Sequence, residues 1–299
     1  MSGILMMLAG CVVNHFVPFL GIATMGYGVR ETLEAKGGRG FAVAIQCAIA
    51  ISVLEFALGS MYALVTSSSL LCALGIAWCM RDHKATVLGV SLVVVLVALC
   101  NIGIQAVLLA SSGSSLTEVV DQVLAVLTAQ AQGSLGTGLE ADLLIQQMMP
   151  LFRAVWPFVY VASAAVDALA AGVGSHLMYA RVADSPRIPS LANFDMPVWV
   201  VGALATSILG FGVSLSGIPG ADILLVVSAT ALMSVRLIFM LQGFGVAIGL
   251  SNRFRLGCLG RFAVVFLSVW LETMFVLSIV GLIDVWANFR KLQRNGSES

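Results

Sequence analysis

Arg236 stands near the middle of SATALMSVRLIFMLQGFGVAIGL, residues 228 to 250, a run otherwise as apolar as a lipid-facing helix. A permanent cation at a bilayer centre costs roughly 2.5 to 3.5 kcal/mol on insertion scales unless a partner neutralises it. Two carboxylates lie at comparable depth. Counted from the cytoplasmic ends of their helices at ~1.5 Å per residue, Arg236 and Asp167 sit about 21 to 22 Å in, and Glu272 about 5 Å shallower. A pair between Arg236 and either acid has two uses. It fixes the packing of helices, in which case losing one partner strands a charge at a cost of several kcal/mol. Alternatively it belongs to a polar pocket for a small anionic or zwitterionic ligand, or to a proton-linked switch.

Other polar side chains fall in the same apolar runs. Gln242 lies six residues beyond Arg236, and Asn101 and Gln105 share one helix face at a spacing of four. Asn14, His15 and His176 lie within further spans, and Glu55 near the outer end of its own. Each serves an interhelical hydrogen bond or a ligand contact, and together they describe a polar interior. Arg236, Asp167, Glu272, Gln242, Asn101 and Gln105 are the candidate substrate-binding residues. No catalytic or metal-ligating set accompanies them. HExxH and P-loop motifs are absent, which removes zinc metalloproteases of that type and the usual intrinsic ATPases. The Gly-x-Ser of GVSLSG, residues 212 to 217, lacks a histidine at its depth: His176 is near the cytoplasmic end of its helix and Ser214 near the outer end of the next. The six cysteines form no CxxC pair, and no His cluster has ligand spacing, so no cofactor is expected.

The elements that must position these residues are membrane helices. Of 299 residues, 60% are hydrophobic and only 10% charged, against a globular norm of about 25% charged, and the mean hydropathy is +1.03. The formal net charge is zero, so nothing here neutralises a phosphate backbone and a nucleic-acid partner is excluded. Apolar windows predict about eight spans, near 4–22, 41–58, 60–80, 86–110, 153–180, 197–216, 221–250 and 261–287. The expected fold is an all-α polytopic helical bundle forming one transmembrane domain over 1–299. Five spans fall within 1–180, a cytoplasmic linker covers 181–196, and three spans fall within 197–290. The opening MSGILMMLAGCVV has no basic n-region and reads as a first span. The Gly-rich stretch over 20–38 is compatible with a short half-helix that returns the chain to the side it came from.

Alternate loops hold ten of the fifteen Lys and Arg residues: Arg30, Lys36, Arg39, Arg81, Lys84, Arg181, Arg187, Arg253, Arg255 and Arg261. The positive-inside rule puts these loops in the cytoplasm. The tail disagrees, because a single crossing by 261–287 would leave Arg290, Lys291 and Arg294 outside. Residues 111–150 are free of Lys and Arg and fall outside by parity. Ser115 and Glu118 have capping-box spacing there, and Val120, Val123, Leu124 and Leu127 make an apolar stripe. Two amphipathic helices are expected, lying on the outer surface or over a cavity mouth. Small residues at Ala164, Ala168 and Gly172, and at Gly245 and Gly249, mark close helix contacts.

The order of features resembles the YybS-like family of bacterial membrane proteins, a family without a settled activity. The resemblance rests on PFLGIATMGYGVRETLEAKGGRG, LGIAWCMRDHK, the acidic insert, NFDMPVWVV, MLQGFGVAIGL and GLIDVWANFRKLQR. Its most specific positions are Phe194, Pro197 and Trp199, then Gln242 and Gly243, then Gly281, Asp284, Phe289 and Arg290. The amino-terminal half is similar in layout to the substrate-binding S components of energy-coupling-factor transporters. The resemblance implies a substrate-capturing subunit in the bacterial inner membrane, working with separate ATPases and a coupling protein and not itself an enzyme. The competing reading is a non-transporting scaffold or regulator of a cell-envelope assembly, with small-residue faces docking partner helices.

Overall fold

In the computed structural model, residues 2–59, 63–81, 86–135, 139–182, 191–216, 219–254 and 256–290 are described. Helices are the only extended elements among them, with no β-strand. The chain divides into two compact units, Met1–Pro186 and Arg187–Ser299, with the boundary inside the expected linker. Among the described residues, four helical stretches are long and apolar enough to cross a membrane, or five if one bent pair counts as a span. Three further apolar helices are shorter, so the structure does not establish the expected count of eight. The protein is a helical membrane protein.

The first unit is built around α2 (Pro18–Lys36), which packs against α1 (Ser2–Asn14), α3 (Gly40–Ala57), α4 (Ala63–Cys79) and α8 (Phe158–Val182). The run expected as one span over 4–22 is two helices. Pro18 has no N–H to continue α1 and restricts Val17, which is extended at φ −137°, ψ 88°. The chain therefore reverses. Gly3 comes against Gly28 and Thr32, and Gly10 against Gly21 and Met25, so α1 and α2 lie antiparallel with their backbones nearly touching. Residues 20–38 thus contain most of a continuous 19-residue helix rather than a half-helix.

Against α8 the approach is equally close. A Cβ on Gly174 would overlap the Ala23 carbonyl oxygen, and Ser175 Oγ donates to the Gly26 carbonyl at 3.2 Å. The expected stripe runs along a neighbouring face: Ala164 and Ala168 are buried, while Gly172 has room to spare beside Ile76 of α4. Helix α5 (Val87–Ser111) is capped by Thr86, whose hydroxyl accepts from Gly89 N at 3.1 Å. Its outer side leaves Leu92, Leu96 and Leu99 more than half exposed, an apolar surface that suits lipid rather than water.

The insert forms α6 (Leu116–Leu135) and α7 (Leu139–Val155). Ser115 and Glu118 make the reciprocal capping box: Ser115 N donates to Glu118 Oε2 at 2.9 Å and Glu118 N to Ser115 Oγ at 3.2 Å. Leu124 is buried and Val123 and Leu127 are half exposed. An exposed Arg153–Asp121 contact of 2.6 Å ties the two helices together.

In the second unit a short turn, Leu191–Asn193, precedes α9 (Trp199–Ser214), and the 33-residue α10 (Ala221–Arg253) forms the spine. The expected last span over 261–287 is broken into α11 (Cys258–Glu272) and α12 (Val276–Ala287), bent by 102°. Phe275 makes the bend with φ at +61°, a conformation that a non-glycine residue adopts only when its surroundings hold it. Helix α12 then runs beside α10 in the same direction. Leu277 and Gly281 meet Gly243 and Phe239, and Arg290 meets Gly245 and Gly249. The bend accounts for the tail: Arg290 returns to the end of α10 that carries Arg253.

Candidate functional site

Two polar clusters line the α10–α12 contact, and the mid-helix one answers for Arg236. Its guanidinium donates to Glu272 Oε1 from Nε at 3.1 Å and from Nη2 at 2.7 Å, and Nη2 also donates to the Glu272 carbonyl at 3.2 Å. The Phe275 ring lies 3.7 Å beneath it, a cation–π contact. Of the two acids the sequence offers, Glu272 takes the arginine.

Glu272 also serves α12. The first turn of a helix leaves N–H groups without intrahelical partners, and these concentrate positive partial charge. Phe275, at the cap position, has no side-chain oxygen to supply. Instead the Glu272 carboxylate reaches forward, accepting from Ser278 N at 3.0 Å and from Ser278 Oγ at 2.8 Å. One carboxylate is therefore held by a guanidinium, a hydroxyl and a helix-start amide. This is a carboxylate-binding site filled by a residue of the chain. It is not sealed, since the side chains of Arg236 and Glu272 are 29% and 12% exposed.

The second cluster is sealed. Arg290 and Asp284 pair at 2.7 Å with side chains 2% and 0% exposed. Arg290 Nη1 also donates to the carbonyls of Ala192 at 2.8 Å and Phe194 at 2.6 Å. Asp284 accepts further bonds from Gln242 Nε2 at 2.9 Å and Phe289 N at 2.8 Å, and Gln242 reaches Asp195 at 3.4 Å. Gln242, a binding candidate from the sequence, thus belongs to a buried lock that ties α10, α12 and the turn before α9. The expected small-residue pair Gly245 and Gly249 makes room for the Arg290 side chain rather than for a partner helix.

Asp195, Asp284 and Arg290 were not among the candidate site residues. A single crossing over 261–287 would have put Arg290 on the far side. The available signal was the six-residue spacing of Asp284 and Arg290 at a helix end, within a stretch that the resemblance already singled out.

The remaining candidates lie in the first unit. Asp167, on α8, is half-buried and within electrostatic range of Cys72 on α4. Asn101 and Gln105 are half-buried one turn apart on α5. Buried polar atoms without partners recur here, at Asn14 Oδ1, Glu55 Oε2, Ser68 Oγ and His176 Nε2. His15 turns Nδ1 to the Cys11 carbonyl at 2.8 Å. Ser214 of GVSLSG, in the other unit, gives its hydroxyl to the Phe211 carbonyl at 2.6 Å. Among the described residues no three His, Cys, Asp or Glu side chains gather to hold a metal ion. No family of known proteins, no curated protein and no solved structure matches the chain.

Proposed function

We propose that this is a multi-pass protein of a bacterial cytoplasmic membrane that binds or moves a small anionic or zwitterionic solute, with the bend between α11 and α12 as its site. The observation that carries the reading is the convergence of Arg236 and both donors of Ser278 on one partly exposed carboxylate. Half-helices that start at membrane depth are a recurrent way to hold anionic groups, because the unpaired N–H groups and the helix dipole face the ligand. Glu272 occupies that position at rest. A solute carboxylate of similar shape replaces it by swinging Glu272 aside.

The resemblance to S components supports separate ATPase and coupling subunits as partners. The exposed side of α11, with Phe262, Phe266 and Trp270 each at least 60% exposed, offers a face for a partner helix or lipid. The same face favours the scaffold reading, which needs no solute.

The test is the intact mass of the full chain, gently extracted from its own membrane. The wild type carries a small acidic or zwitterionic molecule. Arg236→Leu loses it at least tenfold while remaining folded and membrane-inserted, and Glu272→Gln, which removes the charge that competes with the solute for Arg236, retains it. A ligand that survives in Arg236→Leu sinks the site. A bare chain that carries only envelope proteins moves the reading to the scaffold.

A further inference from the structure

At the basic end of the first unit, a cavity of about 290 Å³ is lined by Arg30, Leu33, Glu34, Gly37, Gly38, Phe41 and Arg81. It lies where α2 ends, α3 begins and α4 gives way to its following turn. We propose that it is a binding site for a phosphate-bearing anion, with the headgroup of an acidic phospholipid as its occupant.

Three observations carry this. First, each arginine is held by an aromatic ring. Arg81 lies 5.2 Å from the centre of the Trp78 ring, which packs against Phe41 at 4.3 Å with a tilt of 43°, and Arg30 lies 5.6 Å from the Tyr179 ring. Such a contact leaves the in-plane N–H groups of Arg81 free for an oxyanion, while those of Arg30 are partly engaged within the protein. Second, the charge around the cavity is unbalanced. Glu34 pairs with Arg30 at 2.6 Å, and Arg30 also donates to the Met80 carbonyl at 2.9 Å, where α4's terminal carbonyls carry partial negative charge. Arg81 then remains as the uncompensated cation among the lining residues. Third, Arg30 is 2% exposed and its Nε has no partner. That N–H lies below the accessible surface, so an oxyanion reaches it when Arg30 shifts from Glu34, and the cost of leaving it unpaired favours the shift.

Two guanidiniums, one from α2 and one from the turn after α4, suit a tetrahedral oxyanion better than a planar carboxylate, which one arginine binds alone. Leu33 and Phe41 add an apolar wall, as the junction of a headgroup with its acyl chains requires. Near Gly37 and Gly38 the space is open, since nothing lies within 4 Å of where a Cβ would stand on either. Lys36 and Arg39 on the same exposed turn add to the attraction for an anionic surface.

The full chain in neutral detergent is titrated with dihexanoyl phosphatidylglycerol, dihexanoyl phosphatidylcholine and inorganic phosphate, each followed by calorimetry. The expected result is binding of phosphatidylglycerol, with phosphatidylcholine at least tenfold weaker. Arg81→Gln weakens phosphatidylglycerol about tenfold or more, and Arg81→Lys by less. Arg81 is exposed, so both variants fold, and an unchanged melting temperature confirms it. Inorganic phosphate binding as tightly as the lipid supports the phosphate site and assigns it to a soluble ligand instead. Failure of both to bind, or an Arg81→Gln protein with wild-type affinity for phosphatidylglycerol, overturns the proposal.

Discussion

Arg290→Met lowers the stability of the Arg187–Ser299 unit by about 3 to 5 kcal/mol, the cost of stranding a buried carboxylate. Asp284 is fully buried and receives its charge compensation from Arg290 at 2.7 Å. Gln242 and Phe289 N, neutral donors among the described residues, satisfy hydrogen bonds but not charge. Asp284→Leu strands the arginine in the same way and costs a similar amount. The double variant Asp284→Leu with Arg290→Met removes both charges of the buried pair and recovers most of the loss, because an apolar pair of similar volume avoids their desolvation. Thermal unfolding in detergent, followed by tryptophan fluorescence, reads all three. If the two single costs add in the double variant, the groups are not coupled and the lock is misassigned.

Gly281→Val produces a loss of comparable size by a different route. A Cβ there would overlap the Phe239 carbonyl oxygen and stand 2.8 Å from Gly243 N. Both obstacles are backbone, which cannot rotate away as a side chain can. Helix α12 must move off α10, which pulls Glu272 and Ser278 away from Arg236, Asp284 away from Gln242, and Arg290 away from the carbonyls of Ala192 and Phe194. The expected cost is about 3 kcal/mol or more, at the severe end of single substitutions. Gly249→Ala is the milder comparison: its Cβ meets side-chain atoms rather than backbone, Arg290 Cγ and Cδ at 3.1 Å and Ala192 Cβ at 3.9 Å. Heating followed by size exclusion separates the two outcomes. A Gly281→Val protein that melts within a few degrees of wild type would mean that α10 and α12 are not in backbone contact.

The helical membrane class was legible in composition and apolar run length, since both follow from the absence of water in the bilayer core. The Ser115–Glu118 cap was legible because it is a local rule. Depth along a helix narrowed the partners of Arg236 to Asp167 and Glu272. It could not choose between them, because depth says nothing about which helices are lateral neighbours. The bend at Phe275 was not legible: Thr273, Met274 and Phe275 include neither Gly nor Pro, and the contacts that accompany it, Arg236 with Glu272 and with the Phe275 ring, come from a separate helix. Missing it moved Arg290 to the wrong side and hid the lock with Asp284 and Gln242. Arg30 and Arg81 were counted only as loop charges, and their convergence on one cavity depends on three separate helices.

The proposed site rests on the chain entering at α11, bending beside Arg236 and leaving by the end it came from. Single cysteines at Phe254 and Phe289, both exposed, placed in a background without the six native cysteines, test this with a membrane-impermeant maleimide on sealed vesicles of known orientation. Labelling of both positions from the same side is the predicted result. Labelling from opposite sides would make residues 258–287 a single crossing and contradict the account.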